Sequence, residues 1–104
     1  SDMAAASIFV MNLDQRIYQA AVSRQLSHLN VGTGIEISIA DLAKLIAQVV
    51  GFVGEIKFDE SKPEGPPRKI LDSTTLCGLG WAPLIGFNQG IKDAYESFKQ
   101  EYVE

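Results

Sequence analysis

Apolar residues near the amino terminus recur at intervals of three to four positions. The pattern runs from Ala6 to Ala21 and suits one face of an amphipathic helix. Asp2 precedes it, and an aspartate at that place can accept a hydrogen bond from the first free backbone N–H groups. The pattern therefore predicts a first helix that begins after Asp2 and ends between Tyr18 and Arg24.

Two further helices are predicted by the same periodicity. Residues 39–50 present a broad apolar face, which Ser38 and Asp41 introduce as a capping box would and which stops at Gly51. Apolar and aromatic side chains also form one stripe along residues 87–102. We expect both segments to pack against the rest of the domain through these faces.

The segments between the helices have the pattern of short strands. Asp72 can cap a short helix, and Gly80 can end it. Elsewhere, brief apolar or alternating runs are typical of half-buried strands; they are residues 28–32, 35–37, 55–59 and 69–71. The sequence thus predicts an α/β (α+β) fold, with helices packed on a few short strands in a single domain over residues 1–104.

Composition and charge exclude several classes of protein. The chain is 46% hydrophobic and 21% charged, which indicates a globular domain, and its net charge of −4 offers no basic field for nucleic acid. The longest apolar run, from Met3 to Met11, is too short to span a membrane and has no basic segment before it. Cys77 is the one cysteine, so no internal disulfide can form, which is compatible with a cytoplasmic location.

The segment SKPEGPPRK (residues 61–69) has an unusual composition for a connecting loop. Its three prolines fix φ and its glycine permits a close turn, so the backbone is ordered in advance. Lys62, Arg68 and Lys69 can donate to phosphate oxygens, while Glu64 and the nearby Asp72 can accept from hydroxyl groups. These groups complement a sugar joined to a diphosphate. A solvated surface loop with ordinary charges is the alternative that composition leaves open.

Other strings that suggest chemistry have simpler explanations. Tyr95 and Lys99 have the spacing of a catalytic tyrosine–lysine pair, but Tyr95 lies on the apolar stripe of the last helix. The glycines of GTGIEIS (residues 32–38) only begin a dinucleotide fingerprint, and a structural turn accounts for them. His28 and Cys77 have no companions at metal-ligand spacing. We therefore predict no catalytic, cofactor-binding or metal-binding residue in the chain.

Longer strings resemble one enzyme family. FDESKPEGPPRKILDSTTLCGLGW and GIKDAYESF are similar to the carboxy-terminal end of the GDP-L-fucose synthases, which are extended short-chain dehydrogenases. DMAAASIFVMN and HLNVGTGIEISIADLAKLIAQVVGFVGEIKFD resemble the segments that precede it, so the likeness covers nearly the whole chain. Members of the family epimerise and reduce GDP-4-keto-6-deoxy-mannose to GDP-L-fucose with NADPH. The resemblance implies substrate-binding roles for Glu64 and Lys69, with Arg68 and Asp72 as weaker candidates that brace the loop.

The resemblance also implies what lies outside the chain. It identifies residues 1–104 as the substrate-binding domain of a longer enzyme, inactive by itself, without the Rossmann domain that binds NADP. The expected partners are the GDP-sugar and that missing amino-terminal domain, in a cytoplasmic enzyme that forms a homodimer. Two alternatives stay open: the substrate domain of another NAD(P)-dependent nucleotide-sugar epimerase or dehydratase, and a binding module without catalysis.

Overall fold

The chain is helical throughout its regular structure. The computed structural model describes residues 1–103, and within them it contains five helices and no strand. In chain order the helices are α1 (Asp2–Met11), α2 (Gln15–Ala21), α3 (Ile39–Val50), α4 (Thr74–Gly78) and α5 (Phe87–Tyr102). The predicted α/β class is therefore wrong.

The contacts divide the chain into two compact units. The first unit comprises Ser1–Ile35 and Ile70–Leu84. The second comprises Glu36–Lys69 and the segment from Ile85 to the end of the described residues. Each unit is thus assembled from two separate stretches of sequence. The interpretation of residues 1–104 as a single domain stays a prediction.

The predicted first helix is in fact two helices. Ser1, and not Asp2, is the N-cap of α1, because its hydroxyl accepts a hydrogen bond from the Ala4 amide at 3.3 Å. The helix ends at Met11, and Asp14 starts α2 by accepting from the Arg16 amide at 2.8 Å. A capping aspartate inside the apolar pattern thus breaks it, since its carboxylate satisfies amides that a continuous helix would bond to carbonyls.

A small core holds the first unit together. Ala6 of α1, Leu76 of α4 and Trp81 are buried, and Leu76 is completely inaccessible. Phe9, Val10, Leu29 and Val31 pack around these three residues and stay partly exposed. Residues from both stretches of the unit therefore meet in one apolar cluster.

The outer side of α1 is apolar as well. Met3, Ile8 and Met11 are 59%, 63% and 84% exposed, whereas Ala6 is buried. Soluble helices usually place polar residues on the face that meets water. In the described residues, no helix has the length and apolar character that crossing a membrane requires.

The second unit consists of α3 packed against α5, with the connections around them. The Ser38 hydroxyl accepts a hydrogen bond from the Asp41 amide at 3.0 Å and so caps α3. Gly51 ends the helix with φ at 71°, a left-handed conformation that glycine adopts without steric cost. The predicted limits of α3 are confirmed, and so is the last helix over residues 87–102.

The predicted strands are extended segments that lack a backbone partner. In the first unit, the chain at Gly32 runs beside Leu71, and the Ser73 hydroxyl donates to the Gly32 carbonyl at 2.9 Å. That contact comes from a side chain and does not form a backbone ladder. In the second unit, residues 55–59 are exposed throughout. Alternating apolar residues indicate an extended chain, but a strand also needs a neighbour to pair with.

Candidate functional site

The proline-rich loop (residues 61–69) is exposed and lies in the second unit without regular secondary structure. A turn fixes its beginning. The Asp59 carboxylate accepts hydrogen bonds from the Ser61 amide at 3.0 Å and the Ser61 hydroxyl at 2.5 Å. The bond from the Ser61 hydroxyl is the main reason that the pKa of Asp59 lies below its ordinary value.

An ion pair fixes the other end of the loop. Arg68 Nε donates to Glu36 Oε1 and Arg68 Nη2 donates to Glu36 Oε2, each at 2.8 Å. This is the bidentate arrangement in which the guanidinium and carboxylate planes match. Glu36 lies two residues before Ser38, the cap of α3. The end of the loop is thereby joined to the start of a well-formed helix.

The pair changes the proton affinity of both groups. The hydrogen bonds from Arg68 are the main cause of a Glu36 pKa below the ordinary 4.5, and those bonds raise the pKa of Arg68. Both side chains remain partly exposed, with 69% of Arg68 and 45% of Glu36 accessible. Water therefore screens the interaction, and the pair holds a position more than it stabilises the fold.

The titration of Glu36 tests this arrangement. Because its pKa is lower in the folded chain, the pair contributes stability above pH 4.5, and the contribution is lost as the pH falls through the lowered pKa. We expect the carboxyl carbon of Glu36, followed by NMR, to titrate below that ordinary value. Arg68→Gln should move the midpoint upward. An unchanged midpoint in Arg68→Gln would show that the pair does not form in solution.

Glu64 and Lys69 differ from Arg68 because their side chains have no internal partner. Both are exposed, and neither makes a hydrogen bond or ion pair with any other residue between positions 1 and 103. A carboxylate and an ammonium group are thus left available on a loop whose ends are fixed. This arrangement can receive a ligand that carries both anionic and hydroxyl groups.

Asp72, the fourth predicted site residue, lies in the first unit and is hydrogen-bonded to a residue close to it in sequence. Its carboxylate accepts from the Thr74 amide at 3.0 Å and from the Thr74 hydroxyl. The bond from the hydroxyl is the main cause of its lowered pKa. It also lines an open cleft of about 670 Å³ with Thr33, Ser73 and Cys77. Asp72 therefore stabilises the start of α4 through its bonds with Thr74.

The residues that suggested catalysis do not form a catalytic arrangement. The Lys99 ammonium lies 2.7 Å from a carboxylate oxygen of Glu96 and 4.9 Å from the centre of the Tyr95 ring, above its face. Lys99 therefore makes an ion pair and a cation–π contact. In the described part of the chain, no three histidine, cysteine or acidic side chains are grouped as a metal site requires.

Glu36 is the residue of this region that sequence reasoning missed. It lies 32 positions before Arg68, and no periodicity connects the two. A lone acidic residue between two isoleucines gives no sign of its partner. Only the spacing of Glu36 before a strong helix cap could have drawn attention to it, since capped helix ends fix the chain that leads into them.

Comparison with known proteins identifies relatives that share one kind of name. No protein-family model matches the chain. It is 48% identical over 97 residues to "GDP-L-fucose synthase" of Escherichia coli, a match that covers 93% of this chain and 30% of that protein. It is 41% identical over 103 residues to "Putative GDP-L-fucose synthase 2" of Arabidopsis thaliana, covering 99% of this chain and 29% of that protein.

A solved structure and a second kind of synthase agree with these matches. The structure of "DdhaC" superposes with a TM-score of 0.72 at 33% identity, covering 96% of this chain and 28% of that one. "GDP-L-colitose synthase" of Yersinia pseudotuberculosis is 35% identical over 74 residues, covering 71% of this chain and 24% of that protein. The chain spans about 30% of the length of the curated relatives it matches. It is homologous to the carboxy-terminal part of the GDP-L-fucose synthases.

Proposed function

We propose that this chain is the GDP-sugar-binding part of an NADP-dependent enzyme that epimerises and reduces GDP-4-keto-6-deoxy-mannose to GDP-L-fucose. The observation that carries the proposal is the 48% identity to a curated synthase over 97 of 104 residues. An alignment of that length must include the proline-rich loop. The likeness therefore covers the segment whose own side chains complement a nucleotide-sugar.

The free groups of the loop support a substrate role. Lys69 offers an ammonium group that can donate to a phosphate oxygen, and Glu64 offers a carboxylate that can accept from a ribose or sugar hydroxyl. Arg68 is already paired with Glu36, so we assign it to bracing the loop. Asp72, bonded to Thr74, would brace the segment that follows. This division gives Glu64 and Lys69 the direct contacts.

The outer surface of α1 supports the presence of a covering region. Met3, Ile8 and Met11 are exposed apolar residues on a helix that also contributes Ala6 to the core. Since such surfaces normally lie against other protein, we assign this one to the cofactor-binding region of the longer enzyme. That region would hold the NADP and the catalytic residues, while this chain would hold the GDP-sugar. A cytoplasmic location and a homodimer belong to the same proposal and rest on the likeness alone.

The reaction itself provides the test. With the full-length protein, GDP-4-keto-6-deoxy-mannose should cause oxidation of NADPH, measured at 340 nm, and chromatography should identify GDP-L-fucose as the product. The chain by itself should catalyse no such oxidation. Consumption of NADPH with a UDP- or dTDP-linked keto-sugar alone would indicate a reductase of another nucleotide-sugar. Conversion of such a sugar without net NADPH consumption would indicate another nucleotide-sugar epimerase or dehydratase. Binding of nucleotide-sugar without turnover would indicate a binding module.

One relative favours a second product. Because the "GDP-L-colitose synthase" is 35% identical over 74 residues, GDP-L-colitose is the second candidate. Colitose is a 3,6-dideoxy sugar, and epimerisation with reduction cannot remove a 3-hydroxyl, so GDP-L-colitose can form only from a GDP-linked 4-keto-3,6-dideoxy sugar. Comparing kcat/KM of the full-length protein for that substrate and for GDP-4-keto-6-deoxy-mannose decides between the two products.

A further inference from the structure

The bidentate pair between Glu36 and Arg68 connects two parts of the second unit that are far apart in sequence. The residues are 32 positions apart, and the two hydrogen bonds are both 2.8 Å long. Two parallel bonds fix the orientation of the guanidinium as well as its distance, which one bond cannot do. The pair therefore limits how far the backbone at Arg68 can move from the segment that leads into α3.

The loop has few other restraints. Between the turn at Asp59 and Ser61 and the pair at Arg68, prolines fix φ at three positions, and Lys62 is the last residue whose amide bonds to that turn. From Pro63 to Pro67 the described chain supplies no hydrogen bond to the loop. Fixed dihedral angles make the loop stiff, but they do not place it. Its placement depends on its two ends.

Lys69 immediately follows this restrained position. Its side chain is the unpaired cation to which the proposed function assigns a contact with the GDP moiety. The placement of Lys69 therefore depends on where Arg68 is held. A carboxylate at position 36 can thus influence the side chain of Lys69 without touching it.

We propose that Glu36 is a positioning residue, which holds Arg68 so that the proline-rich loop presents Lys69 and Glu64 to the GDP-sugar. This inference rests on the proposed function. It excludes two other roles for the pair. In one, Glu36 binds Arg68 only in the free enzyme, and the diphosphate of the substrate replaces Glu36 as the partner of Arg68. In the other, the pair is an ordinary surface contact without influence on binding.

Glu36→Gln in the full-length enzyme separates these roles by the direction of change in KM. A positioning role predicts that KM for the GDP-sugar rises about 2- to 5-fold, as the loss of a well-oriented surface pair allows, with little change in kcat. The contact that is weakened is equal in ground and transition states, so kcat is spared. If the diphosphate replaces Glu36, Glu36→Gln should lower KM, because the competing partner of Arg68 is gone. If the pair is an ordinary surface contact, KM should not change. Either result would overturn the proposal.

The control is Glu96→Gln, which removes one charge and one exposed ion pair from α5 in the same unit. It should leave KM unchanged. The exchanged pair Glu36→Arg with Arg68→Glu should restore KM if bracing is the function. If the exchange does not restore KM while Glu36→Gln raises it, Arg68 contacts the ligand directly and the proposal is wrong.

A second measurement covers the case in which a variant folds poorly. Limited trypsin digestion of the full-length protein, followed by peptide mapping, reports cleavage after Arg68 and Lys69. Cleavage there should be faster in Glu36→Gln than in Glu96→Gln at equal thermal stability, and equal rates would overturn the proposal. Failure of Lys69→Ala to change KM would instead remove the proposed function of the loop, so the two failures are distinguishable.

Discussion

In the full-length enzyme, Lys69→Ala is expected to raise KM for the GDP-sugar about 10- to 150-fold, with a much smaller effect on kcat. This range of KM follows from the loss of a hydrogen bond to a charged group, which contributes roughly 1.5 to 3 kcal/mol to binding. Because the proposed contact is with the GDP moiety, it lies away from the carbons that react. It is therefore nearly equal in ground and transition states, and its loss acts on KM.

Steady-state rates of NADPH oxidation at varied GDP-sugar concentration give both constants. Lys92→Ala, on α5, is the matched control because it removes the same charge from a helix outside the loop. Lys69→Arg should restore binding only in part, since the planar guanidinium has a different shape from an ammonium group. If Lys69→Ala and Lys92→Ala had the same KM, the proline-rich loop would be a surface feature.

Leu76→Ala is expected to lower the free energy of unfolding by about 2 to 5 kcal/mol, the range for a buried leucine whose removal leaves a cavity. Leu76 is completely inaccessible, and it packs in one cluster with Ala6 of α1 and Trp81, in a core with few other buried residues. Small cores have little surrounding structure that can close the gap. A loss of this size is a large fraction of the roughly 5 to 15 kcal/mol that keeps a domain folded.

Urea denaturation followed by tryptophan fluorescence measures this loss. Trp81 is the one tryptophan in the chain and lies in the same core, so its emission reports the unfolding of the first unit. Leu84→Ala removes the same side chain from a position that is 88% exposed and should change stability by no more than about 0.5 kcal/mol. Similar midpoints for the two variants would contradict the core described above.

The helices show which parts of the fold the sequence determines by itself. The limits of α3 were predictable because its cap at Ser38, its apolar face and Gly51 all indicate the same ends. The break between α1 and α2 was not, because apolar spacing continues across it and one capping aspartate, Asp14, decides the outcome. The strands failed for another reason, since alternation cannot specify a backbone partner elsewhere in the chain.

The candidate site was predictable to a similar extent. Proline, glycine and charge identified the loop from local composition, and the structure leaves Glu64 and Lys69 unpaired there. The ion pair of Arg68 could not be predicted, because its partner, Glu36, is distant in sequence. Composition identifies which side chains are available for chemistry, whereas the fold determines which of them are already engaged.

The division of the chain into interleaved units affects how it can be made. The first unit needs Ser1–Ile35 and Ile70–Leu84, and all of Glu36–Lys69 lies between them. During synthesis, the apolar residues of α1 therefore remain without Leu76 and Trp81 until the ribosome has released the chain beyond α4. A nascent chain with such a delay is exposed to aggregation and is a natural client for chaperones. Premature termination within the proline-rich loop would yield a polypeptide that cannot complete either unit.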